Sequence, residues 1–267
     1  MNTAQATGEL KRFRADTHIH SCLSPCADLE MGPLHIATQS RQMGLDMIAV
    51  CDHNSAENAG AVMRAGADAG VAVLPGMEIC SREEVHVVAL FETLEAAHRM
   101  QEVVYAHLPG QNQPAVWGDQ IVANERNEVL GENRRLLIGA TTLSLHQIVE
   151  RIHAFGGLCI ASHVDRPAYS LIGSLGFIPE DLALDGVEVS FRVPLCRAQE
   201  TVGGIGGYPC VTASDAHFLK DIGRAWFGLR IASPCFAELR MALRGEQGRG
   251  VKSALDSSAN NKGQGQT

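Results

Sequence analysis

Short apolar, β-prone runs alternate along the chain with longer stretches of helical periodicity. The run at 47–51 follows a helical pattern over 33–43 that stops at Gly44, and the run at 71–74 follows an Ala-rich stretch over 58–69 that ends at Gly70. The run at 85–90 leads into a helix from Leu94, and 158–161 follows a helix over 145–155. Runs at 186–190 and 208–212 and a stretch through Trp226 to Ile231 complete the series. Repeated helix, glycine and buried strand predict a parallel α/β architecture. The segment from about 108 to 142 breaks the rhythm with Gln111, Gln113, Asp119, Gln120, Asn124, Glu125 and Arg126, and reads as an insertion over one mouth of the fold. Residues 1–12 and 250–267 are polar and read as disordered ends around one domain at 13–249.

Composition narrows the classes. With 267 residues, 45% hydrophobic and 19% charged, the chain supports one large α/β core. A net charge of −8 predicts no duplex nucleic-acid partner, while leaving a small phosphorylated substrate open, since bound metals invert a local field. No apolar run approaches the roughly 18–20 residues that span a bilayer, and Glu9, Lys11, Arg12 and Arg14 interrupt any signal-peptide core, so no membrane role and a cytoplasmic location are expected. The eight cysteines then read as reduced thiols.

The chemistry lies at the ends of the apolar runs. Residues two apart in a strand share a face, so His18 with His20, and Asp215 with His217, each aim two donors at one point. Such pairs at opposite ends of one chain predict a barrel whose first and last strands meet. Asp52-His53, Glu78, His86, His163 and Glu188 occupy corresponding strand positions, where barrel enzymes place their chemistry. Imidazole and carboxylate together suit zinc, iron or manganese, so the pattern predicts a metal-dependent hydrolase. His35, His98, His107, His146 and His153 fall in helical or loop stretches and read as surface residues.

The motifs His18-Ile-His20-Ser, Cys51-Asp-His53-Asn, Gly76-Met-Glu78-Ile, Glu84-Val-His86, Ala161-Ser-His163 and Ser214-Asp-Ala-His217 resemble, in order, those of the PHP (polymerase and histidinol phosphatase) family. The resemblance covers about 14–90 and 155–231 and implies a distorted seven-stranded (β/α) barrel holding up to three divalent metals (Mn, Fe or Zn). It implies one metal on His18, His20, Glu78 and Asp215, a second on Glu78, His86 and His163, and a third on His53, His217 and one more early ligand. The family's usual aspartate position is Pro25 here. Counting back from Pro33 instead selects Asp28, with Cys26 as its rival.

The family chemistry implies a phosphoesterase for a small phosphorylated metabolite or nucleotide end, using water activated by metal. Glu78, His163, Asp215 and His217 are the catalytic candidates, with His163 or His217 as proton donor to the leaving group. Arg166, Arg82 and Arg192 are candidate phosphate forks. Asp16, Asp52 and Glu188 are candidates for orienting the imidazoles, with backbone-satisfied turn carboxylates the other reading for Asp16 and Asp52. Asn54 and Asn58 read as helix-capping or substrate-near. Two further readings stay open: C–N hydrolysis by an amidohydrolase, and a metal- or redox-responsive accessory protein using Cys22, Cys26 and Cys51. Oligomeric state is not legible in the sequence.

Overall fold

A computed structural model describes residues 9–252. The strands are β1 (Lys11–Ile19), β2 (Met47–Val50), β3 (Ala72–Cys80), β4 (His86–Leu90), β5 (Ile121–Ala123), β6 (Val129–Glu132), β7 (Leu158–Ala161), β8 (Gly186–Val189), β9 (Cys210–Thr212), β10 (Phe227–Ile231) and β11 (Gly250–Lys252). The helices are α1 (Pro33–Gln42), α2 (Ala59–Ala69), α3 (Leu94–Ala106), α4 (Pro114–Trp117), α5 (Leu145–Ala154), α6 (Leu171–Leu175), α7 (Ala198–Thr201) and α8 (Phe236–Leu243). Local chemistry sets several of these ends. Pro33 starts α1, Gly70 ends α2 in the left-handed region at φ +73°, and Ser144 with Gln147 forms a capping box on α5.

The main sheet runs β11-β10-β1-β2-β3-β4-β7-β8-β9. These strands curl into a nearly closed barrel, with nine strands in the sheet where seven were expected. It closes where Ile19 pairs with Ala216 and the His20 N–H donates to the Ala216 carbonyl at 3.0 Å. This bridge joins His18 and His20 to Asp215 and His217, as the two ligand pairs require. β10 and β11 extend the sheet from the first half of β1. Lys11, Arg12 and Gly250–Lys252, expected in disordered ends, are strand residues, because β10 pairs with β1 on one side and with β11 on the other and so satisfies their backbone groups. The rest of the expected disordered ends lies outside the described residues, apart from Glu9 and Leu10.

The sheet is not uniformly parallel. β4 runs antiparallel to both β3 and β7. Only residues 81–85 join β3 to β4, and a parallel crossover needs about a dozen residues or more. Ser81 closes this turn by accepting from the Glu83 and Val85 amides. The reversal starts β4 at the end where β3 finishes, which brings His86 beside Glu78.

Alternation along the strands builds the core. Met47, Ala49, Leu74, Val88, Leu158 and Ile160 enter one buried cluster. Ile48, Val50, Val87, Ala89 and Ala161 enter the other, with Ile36, Val62, Val104, Ile148 and Ile152 from the helices. Burying each large aliphatic side chain contributes about 1.5–3 kcal/mol, so this double-sided packing is what holds the strand ends in place.

The 108–142 segment lies over the carboxyl ends of β1 and β2. The Ile121 N–H donates to the Cys22 carbonyl, and the Asn58 amide donates to the Ile121 carbonyl while accepting from the Ala123 N–H. The Asn54 amide donates to the Leu137 and Gly139 carbonyls. Asn54 and Asn58 therefore pin the insertion, and the Asn58 side chain does not cap α2. Gly118, at φ +103°, passes so close to the Pro25 carbonyl oxygen that any Cβ there would overlap it.

Candidate metal centre

His18 is the penultimate residue of β1 and His20 follows the strand, both fully buried, and their tautomers follow from their neighbours. His18 Nδ1 lies 3.1 and 3.2 Å from the two Glu188 oxygens, so it carries the proton and turns the Nε2 lone pair inward. His20 Nδ1 lies 2.9 Å from Ser24 Oγ. That hydroxyl already donates to Asp52 Oδ1 at 2.7 Å, so it accepts from His20, whose Nε2 is likewise a lone pair. These two nitrogens lie 3.2 Å apart, with Asp215 Oδ1 3.6 Å from one and 3.2 Å from the other. Three ligand atoms converge there. Burial lowers the His18 imidazole, but the anions of Glu188, Glu78 and Asp215 outweigh it and hold the ring well above its ordinary range, positive charge that a cation would supply in its place. That geometry fits a cation.

Glu78 occupies the middle of the constellation. Its Oε1 meets His86 Nδ1 at 3.0 Å, His163 Nε2 at 3.2 Å and His18 Nε2 at 3.5 Å. Its Oε2 meets His53 Nδ1 at 3.1 Å and His20 Nε2 at 3.5 Å. His217 Nδ1 donates to the Asp215 carbonyl at 3.0 Å, which leaves Nε2 free for a ligand role. The donors of His18, His20 and Asp215, of His53, Glu78 and His86, and of His20, His53 and His217 form three groups, each within 4.8 Å. His163 Nδ1 is buried without a hydrogen-bond partner.

The electrostatics fit the same conclusion. Burial pushes the Glu78 carboxyl up, but His86 and His18 outweigh it and hold it well below the usual range. Asp215 behaves alike, with His18 and His20 opposing burial. Burial and the charge of His217 push His20 down to about 4, while the anion of Glu78 overcomes burial and raises His86 to about 10. Ionised carboxylates among imidazoles call for added positive charge, and the donor set suits zinc, iron or manganese. His163 and Asp215 sit at φ +31° and +48°, backbone strain that clusters at functional sites.

The structure thus brings together eight of the nine expected ligands: His18, His20, His53, Glu78, His86, His163, Asp215 and His217. Asp28 is the exception. Its Oδ1 accepts from the Glu30 N–H at 2.8 Å, closing an Asx turn, and only its backbone reaches the His217 segment. Among the described residues no cysteine joins a converging group. Cys26 is exposed, Cys51 is buried with Sγ toward the Thr17 carbonyl, and Cys22 faces the Ile121 carbonyl.

Of the three carboxylates expected to orient imidazoles, Glu188 touches His18 directly. Asp52 acts on His20 through Ser24. Asp16 touches no imidazole: it accepts from the Ser214 and Gly223 amides and fixes the loop that carries Asp215, and burial raises it to about 6.

A cavity of about 610 Å³ opens over the cluster. Arg166 and Arg192 line it, and Arg166 Nη2 lies 2.6 Å from Asp215 Oδ2. Arg82 does not line it. It is exposed and paired with Glu83, because the short 81–85 turn carries it to the surface. Arg224, Tyr169, Phe191 and Ile138 also line the cavity and escaped the sequence reading. Phe191 directly follows a β8-end residue, Ser190, so the strand-end rule could have found it. Arg224 carried no signal. His35, His98, His107 and His146 are exposed, and His153 pairs with Asp185.

A PHP-associated family model matches residues 206–247. A Bacillus subtilis protein, YqxK, described as uncharacterised, is 33% identical over 107 residues, covering 38% of this chain and 27% of its own. The lesion-specific endonuclease Q of Pyrococcus furiosus shares the fold with a TM-score of 0.64 at 19% identity, over 90% of this chain and 58% of that one. An endonuclease Q complex with a 27-mer duplex bearing an abasic lesion at the active site gives 0.62 at 18% identity, with the same coverages. The chain therefore spans little more than half the length of these structures and about a quarter of YqxK. Motifs, family match and barrel agree: this is a PHP-type (β/α) barrel that carries a histidine–carboxylate cluster.

The comparison corrects one expectation. Endonuclease Q holds duplex DNA on this same fold, so a net charge of −8 does not exclude duplex nucleic acid. Total charge averages over the surface, whereas binding follows the local field at the site, here set by arginines and by any bound cation. Among the described residues no helix is long and apolar enough to cross a membrane.

Proposed function

We propose that the chain is a metal-dependent phosphoesterase acting in the cavity above Glu78. One juxtaposition carries the reading: donors converging around Glu78 and Asp215 lie beneath a wall bearing Arg166, Arg192 and Arg224. His18, His20, Glu78 and Asp215 would hold one divalent cation, Glu78, His86 and His163 a second, and His53 and His217, with His20 near, a third. Such cations lower the pKa of water and offset charge growing on phosphoryl oxygens.

The chain's own residues do the rest. Arg192 and Arg166 present planar forks to phosphate oxygens. Glu188, and Asp52 through Ser24, keep His18 and His20 in the tautomers that face the centre. His163 or His217, both on the cavity wall, would protonate the leaving oxygen once released from a cation and protonated. The 108–142 insertion acts as a lid, since Ile138 reaches the cavity. Substrates of this reading are small phosphorylated metabolites and nucleotide phosphoesters, nucleic acid included. Eight unpaired cysteines fit a reducing cytoplasm.

C–N hydrolysis is the second reading, supported by an amidohydrolase from Chromobacterium violaceum with a TM-score of 0.50 at 17% identity, over 78% of this chain and 89% of that one. The arginine-lined cavity favours phosphate. Protein purified without added metal, assayed for metal content and against phosphomonoesters, phosphodiesters and amides, tests the choice. Glu78→Gln should cut turnover by orders of magnitude while the fold survives. Near-normal turnover in that variant would move the site elsewhere.

A further inference from the structure

We infer that Tyr169 and Phe191 form a seat for a nucleobase beside the phosphate-binding floor, so that the substrate is a nucleotide unit. The inference rests on the phosphoesterase reading and sharpens its substrate class.

Among the described residues the exposed aromatic rings are Trp117, Tyr169, Phe177, Phe191 and Phe218. Two of these, Tyr169 at 52% exposure and Phe191 at 40%, line the cavity over Glu78. The fold gains nothing from leaving large rings in water there.

Both rings are held in register with the cluster. The Tyr169 carbonyl accepts from the His86 N–H at 3.0 Å, and its ring centroid lies 5.0 Å from the His86 imidazole. Its backbone is kept at φ +55°, in the left-handed region that a bulky residue seldom adopts. Phe191 lies 3.9 Å from the Arg224 guanidinium carbon. Arg224 in turn donates to the Ser214 carbonyl through Nε and Nη2, at 3.0 and 2.8 Å, one residue before Asp215. A planar group stacked on either ring is thereby fixed relative to Glu78 and Asp215.

The wall chemistry selects that planar group. A sugar-like metabolite presents hydroxyls on every side and needs amides or carboxylates to bond them. The wall here offers Ile138, Pro167, Tyr169 and Phe191, with arginines between them. Aromatic faces interleaved with guanidinium suit nucleobases, which stack regardless of sequence. A free nucleotide and a nucleotide within a strand share this chemistry.

The test is binding, read separately from turnover. Wild-type protein stripped of metal by chelator, and so unable to cleave, is titrated by fluorescence anisotropy with a labelled oligothymidylate and with a phosphodiester chain of equal length made of abasic tetrahydrofuran units. The thymidylate should bind about 5- to 150-fold tighter, the range expected for stacking one base. Tyr169→Leu or Phe191→Leu should bring the ratio towards one, and Phe191→Trp should restore it. Circular dichroism, and metal content before stripping, show that each variant is folded. Competition by thymidine monophosphate identifies a free nucleotide as the source, and competition by oligonucleotide alone identifies a strand. Equal binding of the two chains, or a preference that survives both leucine variants, overturns the base seat. Base-dependent binding by wild-type protein that cleaves no phosphoester once metal is restored would instead overturn the phosphoesterase reading and leave the seat standing.

Discussion

Glu188 closes on His18 with both carboxylate oxygens, at 3.1 and 3.2 Å from Nδ1, across 170 residues of sequence. Glu188 Oε1 also accepts from the His163 N–H at 3.3 Å. One buried side chain thus fixes the orientation of one imidazole and the backbone of another, both of which meet Glu78 Oε1.

That arrangement predicts the effect of removing it. Glu188→Ala should weaken metal binding about 10- to 100-fold, the usual cost of losing a partner that orients a ligand imidazole. Chelator competition measures the affinity, and circular dichroism reports whether β8 survives. Unchanged affinity in a folded variant would mean that His18 is held by the barrel alone.

Arg166 faces two ways, towards the cavity and onto Asp215 Oδ2 at 2.6 Å. As a phosphate fork it should show in KM: Arg166→Lys, which keeps the charge but loses the planar pair of donors, should raise KM for phosphoesters several-fold or more with metal content unchanged. A loss of metal without a KM effect would assign Arg166 to positioning Asp215 instead.

The sequence reading brings residues together where their placement depends on strand register and misses those whose placement depends on loops. His18 and His20 are legible from strand periodicity at the end of β1, whereas Asp215 and His217 lie past β9, Asp215 at φ +48°, and the Ile19–Ala216 bridge brings them to the cluster. The direction of β4 was not legible from apolar pattern; the short 81–85 turn decides it. Asp28 was selected by spacing to Pro33, yet a carboxylate two residues before a free amide closes an Asx turn just as readily, and here it does. Tyr169, Phe191 and Arg224 come from three separate loops after β7, β8 and β9, and no periodicity links such positions before the chain is folded.

The clamp between the insertion and the 21–25 loop rests on Gly118. Gly118→Val adds a β-branched side chain where φ is +103° and the Pro25 carbonyl leaves no room for a Cβ. The strain, about 1–3 kcal/mol, should release the insertion locally and leave the barrel folded. Limited proteolysis should then cut within 108–142 faster than in the wild type, with the substrate profile changed more than the metal content. Unaltered proteolysis and an unaltered profile would count against the lid.

The loop after His20 gives the last prediction, in which a carboxylate and three thiols are set against the imidazoles. Asp28 spends its Oδ1 on the Glu30 amide, and asparagine closes the same turn through its amide oxygen. Asp28→Asn should therefore leave both stability and metal content near wild type. Cys22 and Cys51 are buried and point to backbone carbonyls, while Cys26 is exposed. Burial pushes the Cys22 thiol up to about 12, and burial with the Glu78 carboxylate does the same to Cys26, so both stay protonated and poor metal ligands at neutral pH. Alkylation of the native protein should mark the exposed thiols Cys196 and Cys235 well before Cys22 or Cys51. Cys22→Ser, Cys26→Ser and Cys51→Ala should each retain the full metal complement, read by elemental analysis of protein grown in metal-replete medium. Loss of one metal equivalent in Cys26→Ser alone would make that thiol a ligand, and loss in Asp28→Asn alone would return the role to the carboxylate.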